Sequence, residues 1–463
     1  MFSRDHYIKR RDSLKNSLKS GLVILLGNRD VPQNYSANTY AYRQDSNFIY
    51  FLGIDHPGFS AVLDIDNNEE TLYGDDFGID DVIWMGEQKS VQEIAADTGV
   101  QNTASYRELR TVIQKARDNN RKIHFLPVYR GETIIEMADL LGMPNSEVNS
   151  QVSMDLIKAV IKLRSYKDEE ELTQLKGAME IAEEIHLTAM KMAREGITEQ
   201  EIAGAIQGVS RAKGCFPSFN PIVSVRGEVL HNLYYHNTLA KGQLLLTDAG
   251  AESNTHYASD ITRTVPVEGK FSKQQQEIYE IVLAANCDAI SRIKPNVVYR
   301  DIHLASARII VEGLKNLGIM KGNTDDAVSE GAHALFFPHG LGHMLGLDVH
   351  DMEGLGEDNV GYNDTIKRSD QFGLAALRLG RALEERFVVT VEPGLYFIPL
   401  LIEQWKKEPK WDSFINFKKL EMYKNFGGIR IEDDILVTST GHQDLSESIP
   451  KTVADLEKVM SGN

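Results

Sequence analysis

The feature that most constrains the fold of this chain is a series of acids and histidines placed where apolar strands meet turns. In segment 244–250, an apolar run leads directly into Asp248 and then into small residues. An acid in such a place is costly to bury unless an opposite charge compensates it. Further segments of this kind follow in the second half of the chain: 259–264, 338–351, 388–394 and 427–434. The fold must therefore supply a compensating charge to these acids.

The spacing of these segments predicts their local structure. Asp260 follows Asp248 by twelve residues, a distance that a hairpin closes so that the two carboxylates lie side by side. Pro338 and two glycines argue against a helix around His339 and His343, so we expect these histidines on a strand or a loop.

Strand alternation predicts how the last segment presents its side chains. It places Arg430 and Glu432 on one face of the strand and Ile429 and Ile431 on the other. One face of this segment is therefore polar and the other apolar.

A metal cation is the most direct way to compensate several buried acids. Four carboxylates and one imidazole form a hard, oxygen-rich donor set that suits manganese better than a metal that prefers thiolates. With so many anionic ligands, two cations sharing carboxylates are favoured over one. Two such cations can deprotonate a shared water and stabilise the oxyanion of a tetrahedral intermediate. The alternative, a surface position at a turn, explains any one of these acids but not the whole ordered set.

The chain divides into two parts of different character. Residues 1–160 alternate helical stretches with the strand-like apolar runs 21–27, 48–53 and 59–65, which predicts an α/β domain. Residues 161–463 carry long amphipathic helices separated by short strands and loops, which predicts an α+β domain. Helices are expected over 166–194, from a capping box at Thr198 onward, and over roughly 273–293 and 299–317, with an insertion carrying its own helix at 403–425.

Composition excludes several classes of function. The 463 residues carry 50 basic and 67 acidic side chains, a formal net charge of −17 that repels nucleic acid and anionic membranes. The two cysteines, Cys215 and Cys287, form neither a metal cluster nor a disulfide framework, which is typical of a reducing, cytoplasmic setting. The apolar run at 22–26 is too short to span a bilayer. We therefore expect a cytoplasmic protein that binds neither nucleic acid nor a membrane.

Taken together, the segments resemble the metal-binding signature of the pita-bread metallopeptidases, in the branch that contains aminopeptidase P and prolidase. Segment 43–53 resembles the N-terminal domain of that branch, and the C-terminal half is similar in the order of its segments. The resemblance implies a pita-bread catalytic domain after the α/β domain. It also implies a dinuclear-metal exopeptidase that cleaves between an N-terminal residue and a following proline, by attack of a metal-bridging hydroxide.

The resemblance also implies a role for individual residues. The expected ligands of two divalent cations, taken to be Mn²⁺, are Asp248, Asp260, His343, Glu392 and Glu432. Asp260 and Glu432 would bridge the two ions, and Glu392 would also assist proton transfer.

The same resemblance implies roles for residues around the metal ligands. His231 would stabilise the intermediate or the leaving group, His350 would contact the scissile carbonyl and His339 would line the substrate pocket. Arg430 would steady a ligand carboxylate. The family usually has tyrosine after the first of these histidines, whereas this chain has asparagine, so His236 stays open as an alternative to His231.

The length of the substrate is left open by the sequence. Arg378 falls where prolidases place an arginine that binds the free carboxylate of a dipeptide, a pairing that guanidinium geometry suits. The alternative is that Arg378 and Arg381 form a solvated helix face. The N-terminal segment resembles aminopeptidase P equally, which accepts longer peptides. The expected partners are short proline-containing peptides and further copies of the chain, in a homodimer or a higher homo-oligomer.

Three rival functions remain at this point. A pita-bread protein without activity would bind peptides or proteins, a creatinase-like hydrolase would work without this metal set, and a methionine aminopeptidase would not need the first 160 residues. The complete set of five ligand residues favours the metallopeptidase.

Overall fold

The structure is a computed structural model that describes residues 1–462. Contacts divide it into two compact units, which are described separately. The first unit comprises Met1–Arg164 and the short segment Met352–Asn359, and the second comprises Ser165–Asp351 and the chain from Val360 onward. The domain boundary expected after residue 160 stays a prediction.

The first unit is built on a mixed five-stranded sheet. Its central strand, Leu22–Leu26, is buried along its whole length and pairs antiparallel with Ser60–Asp64 and parallel with Ile123–His124. Glu69–Tyr73 and Asn102–Ala104 complete the sheet on the Ser60–Asp64 side. Apolar side chains of the central strand pack on the two helices Glu108–Asp118 and Gly131–Leu141. This arrangement confirms the expected α/β class, and the strands expected at 21–27 and 59–65 are confirmed.

The third apolar run of this part, 48–53, is wrong as a strand. The chain forms a helix over Ser46–Leu52 instead. The Asp45 side chain accepts hydrogen bonds from the N–H groups of Asn47 and Phe48, and Gly53 ends the helix with a left-handed φ of 65°. A cap at each end therefore decides the conformation of a run whose apolar side chains would suit either element.

The remaining elements of the first unit are short. A hairpin pairs Pro32–Tyr35 with Asn38–Thr39. The other helices of this unit are Arg4–Ser17, Ile79–Met85, Val91–Thr98 and Met154–Ser165, with single 3₁₀ turns at Asn145–Ser150 and Glu353–Leu355. The helix Glu357–Gly361 crosses from the first unit into the second.

Long helices form the outer layer of the second unit, as the amphipathic pattern predicts. The first runs over Glu169–Met192 and begins later than expected because Asp168, in an extended conformation, is its N-cap. Thr198 caps the next helix through the predicted capping box. The helices of this unit are Glu169–Met192, Glu199–Ala212, Lys273–Arg292, Tyr299–Asn316, Thr324–Ser329, Pro399–Trp405, Phe417–Leu420 and Val453–Met460.

Three small sheets form the inner part of the second unit. The first pairs Leu244–Ala249 antiparallel with both Ile222–Ser224 and Ile261–Pro266. The second has the strand order Val388–Val391, Asp433–Val437, His442–Asp444, and the third pairs Gly394–Tyr396 with Gly428–Arg430. A bridge between Thr262 and Glu432 joins the first sheet to the segment between the other two. The α+β class expected for this part is confirmed.

No helix within residues 1–462 has the length and apolar character needed to cross a lipid bilayer.

Candidate active site

A hairpin brings the first two acids together, as their spacing predicts. In the register of the two strands, Ile261 pairs with Ala249 and Thr262 pairs with Asp248, so Asp260 lies immediately before its strand. Both carboxylates are buried, with 8% of Asp248 and 5% of Asp260 exposed. Two acids twelve residues apart in the sequence therefore lie close together and largely shielded from solvent.

Three potential ligands converge at this place. One ligand atom each of Asp260, His343 and Glu432 lies within 4.8 Å of the others, and all three residues are buried. His343 Nε2 lies 3.4 Å from Asp260 Oδ2 and 3.8 Å from Glu392 Oε1. A carboxylate-rich group with one imidazole is the donor set that a hard divalent cation prefers.

The orientation of His343 suits a metal ligand. The backbone N–H of His343 donates to Thr390 Oγ1 (3.1 Å), and the backbone N–H of Thr390 donates to the His343 carbonyl (3.0 Å). Its ring Nδ1 lies 2.9 Å from the carbonyl oxygen of Met344. Because a carbonyl only accepts, Nδ1 carries the proton and Nε2 directs a lone pair toward the acids.

The electrostatics of the group favour a bound cation. Burial, followed by the charge of Asp248, raises the pKa of Asp260 well above its ordinary value. Burial and the neighbouring acids likewise raise the pKa of Glu432 well above its ordinary value, and burial raises that of Glu392 to about 8. Within residues 1–462, the buried Oδ1 of Asp248 has no hydrogen-bond partner. Mutually repelling buried carboxylates and an unsatisfied carboxylate oxygen both fit residues that hold divalent cations.

Arg430 links two of the acids, Asp248 and Glu432, through hydrogen bonds. Its guanidinium donates to Asp248 Oδ2 (2.5 Å), to Thr262 Oγ1 (3.1 Å) and to the hydroxyl of Tyr396 (2.8 Å). The Thr262 hydroxyl in turn donates to Glu432 Oε2 (2.7 Å). Arg430 and Glu432 thus reach the same threonine, as expected of side chains on one face, although the strand itself ends at Arg430. The buried guanidinium of Arg430 thus orients the carboxylate of Asp248 directly and that of Glu432 through Thr262.

Sequence reasoning missed three residues that contact the site: Thr262 and Tyr396 in this network, and Asp434 beside Asp260. The signal for Thr262 was available, because strand alternation places it on the same face as Asp260. Tyr396 is fully buried and reaches the site through its pairing with Gly428, for which no local pattern exists. Asp434 accepts a hydrogen bond from the Asp260 N–H (3.0 Å) across a long sequence separation.

His339 lies beside the acids in a fixed orientation. Its Nδ1 lies 2.8 Å from the Gly340 carbonyl oxygen and its Nε2 2.9 Å from the Tyr396 hydroxyl, so Nδ1 donates and Nε2 accepts. Burial lowers the pKa of His339 to about 3. Its Nδ1 is also 3.7 Å from Glu392 Oε2. The imidazole is therefore neutral at physiological pH, and its two hydrogen bonds hold the ring in one orientation beside the cavity.

Two more histidines lie at the site. The ring of His350 packs against that of His343, with centroids 4.2 Å apart and planes at 64°. His231 is exposed at the rim of the cavity, and partial burial and the charge of Arg430 lower its pKa. His236 lies outside the cavity lining and stacks with Tyr234 at 6.0 Å. The geometry favours His231 over His236 as the histidine that reaches a substrate.

A cavity of about 590 Å³ opens in front of the acids. Apolar side chains, among them Phe219, Ile222 and Leu230, form one part of its wall, and Arg378 lies in another. Arg381 is not part of the lining and pairs with Glu384 (3.0 Å). All ten predicted site residues line this cavity: His231, Asp248, Asp260, His339, His343, His350, Arg378, Glu392, Arg430 and Glu432.

Comparison with known proteins covers both parts of the chain. The profile of metallopeptidase family M24 matches residues 173–439, and that of the aminopeptidase P N-terminal domain matches residues 7–124. Human Xaa-Pro dipeptidase is 31% identical over 460 residues, which cover 96% of this chain and 90% of that protein. A probable Xaa-Pro aminopeptidase of Ajellomyces capsulatus (strain H143) is 32% identical over 458 residues, covering 96% and 92%.

A solved structure is similar over the whole length. Zinc-substituted Escherichia coli aminopeptidase P in complex with product has a TM-score of 0.81 to this chain and 30% sequence identity. The match covers 100% of this chain and 99% of that one.

Proposed function

The chain belongs to metallopeptidase family M24, in the branch of aminopeptidase P and Xaa-Pro dipeptidase, and from this premise we propose that it is a dinuclear-metal exopeptidase that removes an N-terminal residue preceding proline. The expected fold, an α/β domain followed by a pita-bread catalytic domain, is confirmed by the similarity to aminopeptidase P structures. The observation that carries the proposal is the convergence of Asp260, His343 and Glu432 within 4.8 Å of one another.

The ligands of two divalent cations are, on this proposal, Asp248, Asp260, His343, Glu392 and Glu432. The buried, mutually repelling carboxylates and the lone pair of His343 Nε2 support the assignment. The predominance of oxygen donors favours Mn²⁺. When bound, the cations supply a hydroxide at neutral pH and stabilise negative charge on the scissile carbonyl oxygen.

The proton transfers belong to side chains of the cavity. Glu392 is suited to accept and return a proton, because its carboxylate lines the cavity and lies 3.8 Å from Nε2 of the proposed ligand His343. His231 lines the cavity and, on this proposal, gives a proton to the leaving proline nitrogen. His350 contacts the substrate carbonyl, and the neutral His339 lines the pocket that receives the substrate.

The cavity also supports selection of the substrate. Its apolar wall, with Phe219, Ile222 and Leu230, suits a proline ring, whose fixed φ limits the shapes that the peptide adopts. Arg378 lines the same cavity and would bind the free carboxylate of a dipeptide through paired hydrogen bonds. The substrates proposed are therefore short proline-containing peptides, with dipeptides bound through Arg378.

Cleavage assays with defined metals test the function. The purified chain is freed of metal, reloaded with Mn²⁺, Zn²⁺ or Co²⁺, and offered Ala-Pro, Ala-Pro-Ala and, as a control, Ala-Ala. Release of alanine from the proline peptides only, and only with metal, is the expected result. Cleavage of Ala-Ala at an equal rate would contradict the proline requirement, and cleavage without metal would contradict the dinuclear centre.

The rival functions predict other outcomes in the same assay. A peptide-binding protein without activity would bind Ala-Pro-Ala but release no alanine, and a creatinase-like hydrolase would turn over creatine without metal. The complete donor set disfavours both. We further propose that the protein is cytoplasmic, in keeping with its two free cysteines, and that it forms a homodimer or a higher homo-oligomer.

A further inference from the structure

A short loop joins two histidines of the site. The loop 344–351 directly follows His343 and contains His350, and the rings of the two histidines are in contact. The loop closes on itself, because the Asp351 N–H donates to the Met344 carbonyl (2.9 Å) and the Gly346 N–H donates to the Asp348 carbonyl (3.1 Å). Since Asp351 directly follows His350, whatever holds Asp351 also restrains the backbone from which the His350 ring projects.

The side chain of Asp351 fills the inside of this loop. Only 1% of the side chain is exposed, and its Oδ1 lies 3.4 Å from the Asp348 N–H. A Cβ atom at position 346 would collide with the carboxylate, so the loop needs glycine there. The carboxylate is thus packed against bare backbone and has little freedom to move.

The buried carboxylate is paired with a buried lysine. Lys167 Nζ donates to Asp351 Oδ2 at 2.9 Å, and its side chain is also only 1% exposed. The backbone of Lys167 is held on both sides by Arg386: the Lys167 N–H donates to the Arg386 carbonyl (3.0 Å), and Arg386 Nη1 donates to the Lys167 carbonyl (3.2 Å). The backbone of Lys167 is therefore held in place, and its ammonium group lies against Asp351 in the loop.

Such a pair adds little net stability, because desolvation of both charges offsets their attraction. A more specific consequence follows from its place. Neither Lys167 nor Asp351 lines the cavity, yet the pair holds the loop that does so through His343 and His350. A buried pair of this kind disfavours loop geometries that separate the two charges, because breaking a buried pair is costly.

We propose that Lys167 and Asp351 are positioning residues, which hold the His350 ring where it meets the carbonyl of the substrate. This inference rests on the proposed function, in which His350 contacts the scissile carbonyl. Lys167 acts only through Asp351 and the loop, and touches neither substrate nor metal.

Steady-state kinetics of Lys167→Met with Ala-Pro provide the first test. The expected result is a fall in kcat on the order of 100-fold, because small displacements of a positioned group have effects of this size. Metal content and KM stay close to those of the wild type. Asp351→Asn, which keeps the shape but loses the charge, shows the same pattern.

A double-mutant cycle separates positioning from a general structural effect. If Lys167 acts through His350, Lys167→Met causes no further loss of kcat in the His350→Ala background. Losses that multiply in the double variant would overturn the inference. The matched control is Lys315→Met, which removes a partly exposed lysine that pairs with Glu312 and leaves kcat unchanged.

Hydrogen exchange gives a readout that does not depend on activity. In the metal-free protein, the N–H groups of Asp351 and Gly346 exchange faster in Lys167→Met, whereas those of helix Tyr299–Asn316 do not. Unchanged exchange in the loop would overturn the inference. A wild-type chain that cleaves no Xaa-Pro peptide would instead refute the proposed function and leave the exchange result standing.

A second variant covers the case in which Lys167→Met fails to fold. Lys167→Met combined with Asp351→Leu removes both charges, which buried pairs often tolerate. Its kcat is expected to stay low, because the loop has lost the contact that selects its geometry. A wild-type kcat in this folded double variant would also overturn the inference.

Discussion

The guanidinium of Arg430 donates to the carboxylate of Asp248 across 2.5 Å, although 182 positions separate the two residues in the sequence. Both are buried, so the contact places a positive charge directly against one acid of the cluster. It fixes the Asp248 oxygen Oδ2 and leaves the buried Oδ1 available. The orientation of the Asp248 carboxylate is thus set by a contact within the protein.

Loss of this contact is expected to weaken metal binding. Arg430→Lys keeps the charge but loses the planar fork that reaches Asp248, Thr262 and Tyr396 at once. We expect the affinity for Mn²⁺ to fall about 10–100-fold, as is common for residues that orient a ligand. Calorimetric titration of the metal-free protein measures it. Arg308→Lys, an exposed arginine paired with Asp325, is the control, and equal affinities in the two variants would contradict the role of Arg430.

Removing one of the buried acids separates metal binding from folding. Asp260→Ala or Glu432→Ala is expected to abolish metal-dependent cleavage while the fold survives. Burial and the charge of Asp248 raise the pKa of Asp260. The folded metal-free protein therefore binds a proton on the Asp260 carboxylate more tightly than the unfolded chain does. The wild type therefore loses stability as pH rises above the ordinary aspartate pKa, and Asp260→Asn loses less.

Thermal denaturation in the presence of a chelator, at pH 5 and pH 8, measures this difference. The melting temperature of the metal-free wild type should fall more between the two pH values than that of Asp260→Asn. Full activity in either alanine variant, or a parallel pH dependence in Asp260→Asn, would contradict the assignment.

The variant Arg378→Ala tests how the substrate carboxylate is bound. A guanidinium in the cavity pairs with the carboxylate of a dipeptide, whereas a longer peptide places that charge elsewhere. Truncating one partner of such a pair costs about 2–5 kcal/mol, so kcat/KM for Ala-Pro should fall by at least tenfold. The value for Ala-Pro-Ala should change little. Arg381→Ala, outside the cavity, is the control, and equal losses on both peptides would exclude a carboxylate clamp.

A buried histidine makes the second unit sensitive to acid. His303 is fully buried, and neither ring nitrogen has a hydrogen-bond partner within residues 1–462. Burial, followed by the neighbouring His333, lowers its pKa from 6.5 to about 3. Between these two pKa values the unfolded chain binds a proton on His303 that the folded chain does not. The stability that neutral His303 contributes is therefore full above pH 6.5 and is lost as pH falls toward 3.

Its replacement should reduce the acid sensitivity. In the range between the two pKa values, one histidine changes the free energy of unfolding by about 1.4 kcal/mol per pH unit. His303→Phe should be less destabilised than the wild type between pH 6.5 and pH 5, as measured by urea unfolding of both proteins. His6→Phe, a histidine of the first unit, is the control, and equal slopes for wild type and His303→Phe would refute the prediction.

The helix Ser46–Leu52 should depend on its N-cap. Asp45 accepts hydrogen bonds from two N–H groups that would otherwise lack a helical partner. Asp45→Ala is expected to lower the free energy of unfolding by about 1 kcal/mol. Urea unfolding measures it, with the exposed Asp30→Ala as the control. No difference between the two variants would mean that the cap does not stabilise this helix.

Much of the fold was accessible from the sequence wherever the signal was local. The capping box at Thr198 is found as predicted, and Arg430 and Glu432 reach the same threonine although the strand ends at Arg430. Both signals depend on neighbours within a few positions. The run 48–53 was misassigned because burial on all sides leaves no periodicity to separate a strand from a helix. In that case the Asp45 cap was the better signal.

The candidate site divides in the same way. Acids in apolar strands indicated a hard donor set, and the spacing of Asp248 and Asp260 indicated a hairpin, whereas the assignment of five ligands came from the resemblance to a known family. Thr262 could have been found by the same alternation. Tyr396 and Lys167 could not, because their contacts to Arg430 and Asp351 join segments with no shared local pattern.

The sequence by itself determined the helix ends, the polar faces of the strands and the hard, anionic character of the donors, since these depend on side-chain chemistry and backbone preference over a few residues. Only the tertiary structure decided which donors meet. The contact between Thr262 and Glu432 spans 170 positions and that between Lys167 and Asp351 spans 184. Such contacts arise because separate strands and loops pack against one another, and no local pattern encodes that packing.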